Sequence, residues 1–154
     1  MNDVCELYQM IPKSELDRVF EGKASAELGR DFLCFEEPYK LASMIVPKTW
    51  TIVDLGCAYA AQAYYFAEHL KYIGVDSFTS EDMIRFRTDN MELYEMTIRE
   101  YVRDHIKKLD FEHTFAICSA VPDRQAQKLT LFHFPNHYVW YPGGKTDLRL
   151  EVKG

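Results

Sequence analysis

The 154-residue chain has only four cysteines, and none of them sits in a CxxC pair or at a regular spacing. Zinc knuckles and disulfide frameworks require such spacings, so Cys5, Cys34, Cys57 and Cys118 read as free thiols. No apolar stretch approaches the roughly 20 residues of a membrane span, and the polar start MNDVCEL lacks a secretory signal. A membrane protein is therefore not expected, and the expected compartment is the cytoplasm. Cations are outnumbered, 18 Lys and Arg against 24 Asp and Glu, which leaves a net charge of −6. General nucleic-acid binding needs clustered Lys and Arg on phosphates and is not expected. A small molecule or a protein with a basic surface remains open as partner, and nothing in the sequence fixes an oligomeric state. Repeats, low-complexity tracts and linkers are absent too, so residues 1–154 read as one domain: a helical segment over 1–48 and a core over 49–154.

Hydrophobic residues make up 47% of the chain and aromatics 14%, enough for ordinary globular packing. The organising stretch is Thr51 to Asp76, TIVDLGCAYAAQAYYFAEHLKYIGVD. Ile52, Val53 and Leu55 form an apolar run broken by Gly56. A stretch rich in Ala, Gln, Glu and Leu follows, then a second apolar run that stops on Asp76. Strand, tight turn, helix and strand fit a βαβ unit, whose crossover brings both strand ends to the same edge of the sheet. Open α/β sheets bind ligands at that edge. Gly56 can adopt backbone conformations closed to other residues, and Asp76 follows Asp54 at about the 20-residue offset at which an acid meets a nucleotide ribose.

Asp54-Leu55-Gly56-Cys57, a helix, and then Tyr72-Ile73-Gly74-Val75-Asp76 resemble the first motif and next acidic strand end of class I S-adenosylmethionine-dependent methyltransferases. The resemblance implies a three-layer Rossmann-like α/β sandwich, with a mostly parallel sheet of five to six strands and N-terminal helices packed on it. It implies S-adenosylmethionine as cofactor, with Asp54, Gly56 and Ala58 around the methionine moiety, Asp76 on the ribose hydroxyls, Met96 near adenine, and Cys57 and Tyr59 among the cofactor-binding residues. The family's motif runs Asp-x-Gly-x-Gly-x-Gly; here Ala58 and Ala60 replace the second and third glycines, with Tyr59 between them. Each alanine Cβ narrows the approach to the cofactor. Tyr59 is the side chain placed to plug the pocket if it is closed.

Before the first strand, Asn2 to Met10 has a weak helical pattern, and Ser14-Glu15-Leu16-Asp17 opens a short helix closed by Gly22. A further helix runs from near Glu37 to about Met44, with Pro38 in its first turn and Pro47 beyond it. Phe32, Phe35 and Tyr39 in this region are core candidates. After Asp76 come a capped loop, a short helix or irregular piece through Arg87, and a third strand near Glu92 to Met96. Ile98 to Leu109 reads as a helix with Ile98, Tyr101, Val102, His105, Ile106 and Leu109 on one face. Phe115 to Ala120 is a buried strand, Arg124 to Phe132 a short helix, His137 to Tyr141 a fifth strand, and Asp147 to Val152 an edge strand.

The fourth strand's end is where the family often keeps its catalytic motif. Ser119-Ala120-Val121-Pro122-Asp123 matches it in a single proline and a displaced acid, so Ser119 and Asp123 are catalytic candidates by position only. His133 and His137 invite a metal reading, but Pro135 breaks the helix that would align them and no metal site is expected. Two readings follow: an S-adenosylmethionine-binding, methyltransferase-like protein with weak or no transferase activity, and a non-catalytic protein of that fold acting as a protein-binding or inhibitory module.

Overall fold

A computed structural model describes residues 37–57, 60–77, 88–119, 121, 123–141 and 145–153. The expected helices before Glu37 and the segment between Ser77 and Thr88 lie outside the described residues, as do Ala58 and Tyr59. Among the described residues six strands form a single sheet: β1 (Thr51–Leu55), β2 (Lys71–Asp76), β3 (Met91–Glu95), β4 (Thr114–Ser119), β5 (His137–Trp140) and β6 (Thr146–Arg149). Their order is β3-β2-β1-β4-β5-β6. The first five are parallel to their neighbours, and β6 returns antiparallel to β5. Three α-helices accompany them among the described residues: α1 (Glu37–Ile45), α2 (Ile98–Asp104) and α3 (Arg124–His133).

Strand alternation divides the core into two sides, which makes the molecule an α/β sandwich. Ile52, Tyr72, Phe115, Ile117 and Tyr138 point to one side, where they pack with Tyr39, Leu41 and Ala42 of α1 and with Ala63, Tyr65 and Phe66 of the first crossover. Val53, Leu55, Ile73, Val75 and Ala116 point to the other, against Tyr101 and Val102 of α2, Ile106 and Phe134. β1 and β4 are buried on both sides and read as nearly continuous apolar runs, as central parallel strands do.

The first crossover differs from expectation. In place of an α-helix after Gly56, residues Ala61–Phe66 form a 3-10 helix. Its burial explains the choice. Gln62 and Tyr65 are both buried, as are Ala63 and Phe66, so two columns at a spacing of three residues face inward. Three residues per turn aligns such columns, and 3.6 does not.

The later elements shift by small amounts. The third strand begins one residue early and ends at Glu95, while Met96 donates its N–H to the Asp76 carbonyl at 2.8 Å. The helix expected to reach Leu109 stops at Asp104. His105 leaves helical geometry with φ −124°, and Ile106–Lys108 continue as a 3-10 turn. The expected apolar face survives this break, because His105 stacks on Tyr101 at 5.6 Å and Ile106 is buried. Thr97 caps α2, its Oγ1 accepting from the Glu100 N–H at 3.1 Å. The fifth strand stops at Trp140, and the edge strand spans Thr146–Arg149 rather than reaching Val152. No described helix is long and apolar enough to cross a membrane.

Gly74 lies at the centre of β2, opposite Asp54. A Cβ built there would stand 2.8 Å from Leu93 Cδ2, 3.0 Å from Cys57 Sγ and 3.3 Å from Tyr72 Cε1. The missing side chain is thus the space in which these three groups meet. Gly74→Ala is expected to lower the unfolding free energy by about 1–3 kcal/mol through overpacking, read from urea midpoints at unchanged m-value.

Candidate functional site

Asp54 is an acid one residue from the end of the inner strand β1, and it is fully buried. Three side chains from three different elements donate to it: Tyr39 Oη from α1 at 3.1 Å to Oδ1, Gln62 Nε2 from the crossover at 2.7 Å to Oδ2, and Tyr72 Oη from β2, also to Oδ2. Tyr72 is reachable because Gly74, two residues on and on the same side, leaves the space above Asp54 clear. Burial raises the Asp54 pKa to about 6, against the opposing effect of its three hydrogen bonds; the negative charge of Asp76 adds to the rise. The same burial, with the Asp54 charge nearby, lifts both tyrosine hydroxyls well above the usual phenol range, so they remain donors.

The turn after β1 is tied to this centre. Gly56 takes φ 83°, where a side chain is strained, and a Cβ there would meet Val121 Cγ2 at 2.6 Å. Its N–H and that of Cys57 both donate to the Val75 carbonyl, at 2.8 and 3.0 Å. The Cys57 carbonyl accepts from the Ala60 N–H at 2.8 Å and from Gln62 Nε2 at 2.9 Å. Gln62 therefore bridges the buried acid and the turn with one amide group. Ala60, at the position of the resemblance's third glycine, holds φ 55°, a left-handed conformation that glycine adopts without cost.

The expected site residues are distributed as follows. Gly56 and Cys57 stand at the end of β1, and half-buried Asp76 ends the adjacent β2. Half-buried Met96 follows β3 and is hydrogen-bonded to Asp76 through the backbone, so these four residues share the carboxyl edge of the sheet. Asp54 lies below them, with its carboxylate filled by protein donors. The Cys57 thiol is buried and pushed far up by that burial, and burial pushes Cys118 up to about 12, so neither is a thiolate at neutral pH.

Ser119 ends β4, with its Oγ buried and without a hydrogen-bond partner among the described residues. Asp123 is the N-cap of α3, its Oδ1 accepting from the Gln125 N–H at 2.9 Å. His137 donates from Nδ1 to the Phe134 carbonyl at 2.7 Å, and its Nε2 lies 3.4 Å from Asp147. Among the described residues no group of three or more His, Cys, Asp or Glu is arranged to hold a metal ion.

Sequence reasoning missed Gln62, Tyr72 and the hydroxyl role of Tyr39. The signal was the acid itself: Asp54 interrupts an otherwise apolar inner strand, and a buried carboxylate requires donors close by. It also missed His69, at the end of the crossover and only 3% exposed. His69 Nε2 must donate to the Val46 carbonyl at 3.0 Å, since a carbonyl only accepts, and its buried Nδ1 has no partner among the described residues. The ring is thereby held neutral, and burial lowers its pKa to about 4.

No protein-family model matches this chain. No curated protein matches it either.

Asp54 and His69 link stability to pH with opposite signs. The folded pKa of Asp54, about 6, lies above its ordinary value of 3.8, so the folded state holds more protons between them and stability falls as pH rises through that window. His69 titrates at about 4 when folded against 6.5 ordinarily, so the unfolded state holds more protons and stability rises as pH climbs from 4 to 6.5. Each effect amounts to about 3 kcal/mol at most. Urea unfolding of the native protein at a series of pH values should show the two nearly cancelling. Asp54→Asn should leave a rising profile and His69→Gln a falling one; profiles of the same sign would contradict the assignment.

Proposed function

We propose that this chain is a Rossmann-like, methyltransferase-like protein that binds S-adenosylmethionine at the carboxyl edge of β1 and β2, with weak or no transferase activity. The observation that carries the reading is the joined end of these two strands. There the left-handed Gly56 and Cys57 are pinned to Val75, and Asp76 follows one residue on. The strand order runs outward in both directions from β1, so the gap between β1 and β4 is a switch point, where α/β sheets take their ligands.

In this reading Asp76 accepts hydrogen bonds from the ribose diol, Met96 lies against adenine, and the Gly56–Cys57 turn runs beside the methionine moiety. Asp54 acts from beneath, holding the turn through Gln62 rather than touching the cofactor. S-adenosylmethionine, when bound, would supply an electrophilic methyl group; the chain's own part is to position it, a task that needs little acid–base chemistry.

A second reading, a non-catalytic module of the same fold that binds or inhibits a protein, is favoured by one observation. Asp123, the acid nearest the position of a catalytic motif, is engaged as a helix cap. Ser119 is then the remaining candidate at that strand end. Methyl transfer to any acceptor that is lost in Ser119→Ala, with cofactor affinity retained, would count against the module.

Isothermal titration with S-adenosylmethionine and S-adenosylhomocysteine tests the binding. The expected result is micromolar affinity that weakens about ten- to a hundredfold in Asp76→Ala, the scale of losing one or two hydrogen bonds to a charged group. Absence of heat at millimolar ligand, or an Asp76→Ala variant that melts normally and binds as well as the native chain, would remove the proposal.

A further inference from the structure

Among the described residues β6 ends the sheet on one side, and its edge carries an unusual charge order. Every second residue from Lys145 to Lys153 is charged and the sign alternates: Lys145, Asp147, Arg149, Glu151, Lys153. All five are exposed. Leu148 and Leu150, between them, pack toward the cluster that contains Tyr138, so the charged side chains share the opposite face. Asp147 also lies 3.4 Å from His137, and Lys153 lies 3.5 Å from Glu112.

The backbone of this edge has a definite phase. Tyr141 donates its N–H to the Lys145 carbonyl at 2.8 Å, and the register then pairs Val139 with Asp147 and His137 with Arg149. Hydrogen-bonded and non-hydrogen-bonded pairs alternate along an antiparallel ladder. Thr146 and Leu148 therefore turn their N–H and C=O groups away from β5, and Leu150 continues the same phase. The other flank of β5 agrees: the Asn136 carbonyl accepts from Ala116 of β4, which leaves His137 and Val139 facing β6.

We propose that a second copy of this chain adds its own β6 to this edge, antiparallel, about a two-fold axis at Leu148. In that register Leu148 meets Leu148 of the second copy, and Thr146 meets Leu150, through backbone groups that already face outward. Asp147 then opposes Arg149, and Lys145 opposes Glu151, so every charged residue from 145 to 151 has an opposite sign across the axis. Sliding one strand by a single residue would set inward-facing backbone groups against outward-facing ones. Sliding it by two would set Lys145 against Arg149 or Asp147 against Glu151. Hydrogen-bond direction thus excludes the first slip, and charge the second. Charged edges ordinarily discourage strand addition. An alternating edge is different, because it is self-complementary under a two-fold axis and repels a strand whose charges are uniform.

The occupancy of this edge does not depend on the cofactor reading. Sedimentation velocity on the full chain, from low micromolar to near-millimolar concentration, reads it directly. The native chain should associate to a dimer that weakens with added salt. Asp147→Arg and Arg149→Asp should each raise the dimer dissociation constant by about tenfold or more, since each sets like charges opposite one another. Mixed in equal amounts, the two variants should associate as the native chain does, because positions 147 and 149 are then both basic in one and both acidic in the other. The couple Lys145→Glu and Glu151→Lys repeats the test if either first variant melts abnormally. A native chain that stays monomeric, a dimer indifferent to these reversals and so held by another face, or a mixture of well-folded variants that fails to re-associate would each overturn the proposal.

Discussion

A single buried carboxylate fixes the centre of this protein. Asp54 stands on the middle strand where an apolar residue would be expected, and removing it from water without partners would cost several kcal/mol. Its partners come from α1, from the first crossover and from β2, so satisfying one charge requires three elements to be in place together. α1 must lie across this side of the sheet for Tyr39 to reach it. The crossover must bring Gln62 inward, which the spacing of three residues does, and β2 must carry glycine rather than a larger residue at position 74. The polar centre and the apolar packing around it are mutually dependent.

The same contacts define the edge at which the proposed ligand would sit. Gln62 holds the Cys57 carbonyl, Gly56 and Cys57 hold the Val75 carbonyl, and Met96 holds the Asp76 carbonyl, so three consecutive strand ends are joined by backbone bonds. A turn fixed in this way has little freedom left to lose, which on the proposed reading would favour binding by lowering the cost of ordering. The left-handed Ala60 belongs to that economy. Its backbone is one that glycine adopts freely and that alanine holds at a cost of about 1–2 kcal/mol, supplied by the surrounding packing.

Much of the sheet was legible in the sequence, because long-range order was written in local patterns. The runs at Thr51–Leu55, Lys71–Asp76 and Phe115–Cys118 are apolar enough to mark inner strands, and the alternation near Leu148 marked an edge. The helix from Glu37 was fixed by Pro38 and Pro47. Boundaries were less legible. His105 lies on the apolar face of its helix, so periodicity carried the reading past the point where the backbone turns. The first crossover was misread because its composition favours an α-helix, while the demand that set its geometry, two inward columns feeding an acid on another strand, is tertiary. The role of Asp54 was hidden for the same reason: its position in a motif was visible and its donors were not, since Tyr39 and Tyr72 are brought to it by the fold.

The place of β1 between β2 and β4 carries a consequence for how the sheet is assembled. Thr51 is paired with Lys71 on one side and with Thr114 on the other, so the two flanks of the same strand enclose stretches of chain that differ about threefold in length. For a flexible chain that difference adds about 1 kcal/mol of closure entropy to the second pairing. The β1–β2 flank is thus the less costly to zip, and until the distant segment returns, the strand that carries the buried acid has one row of amides and carbonyls still facing solvent.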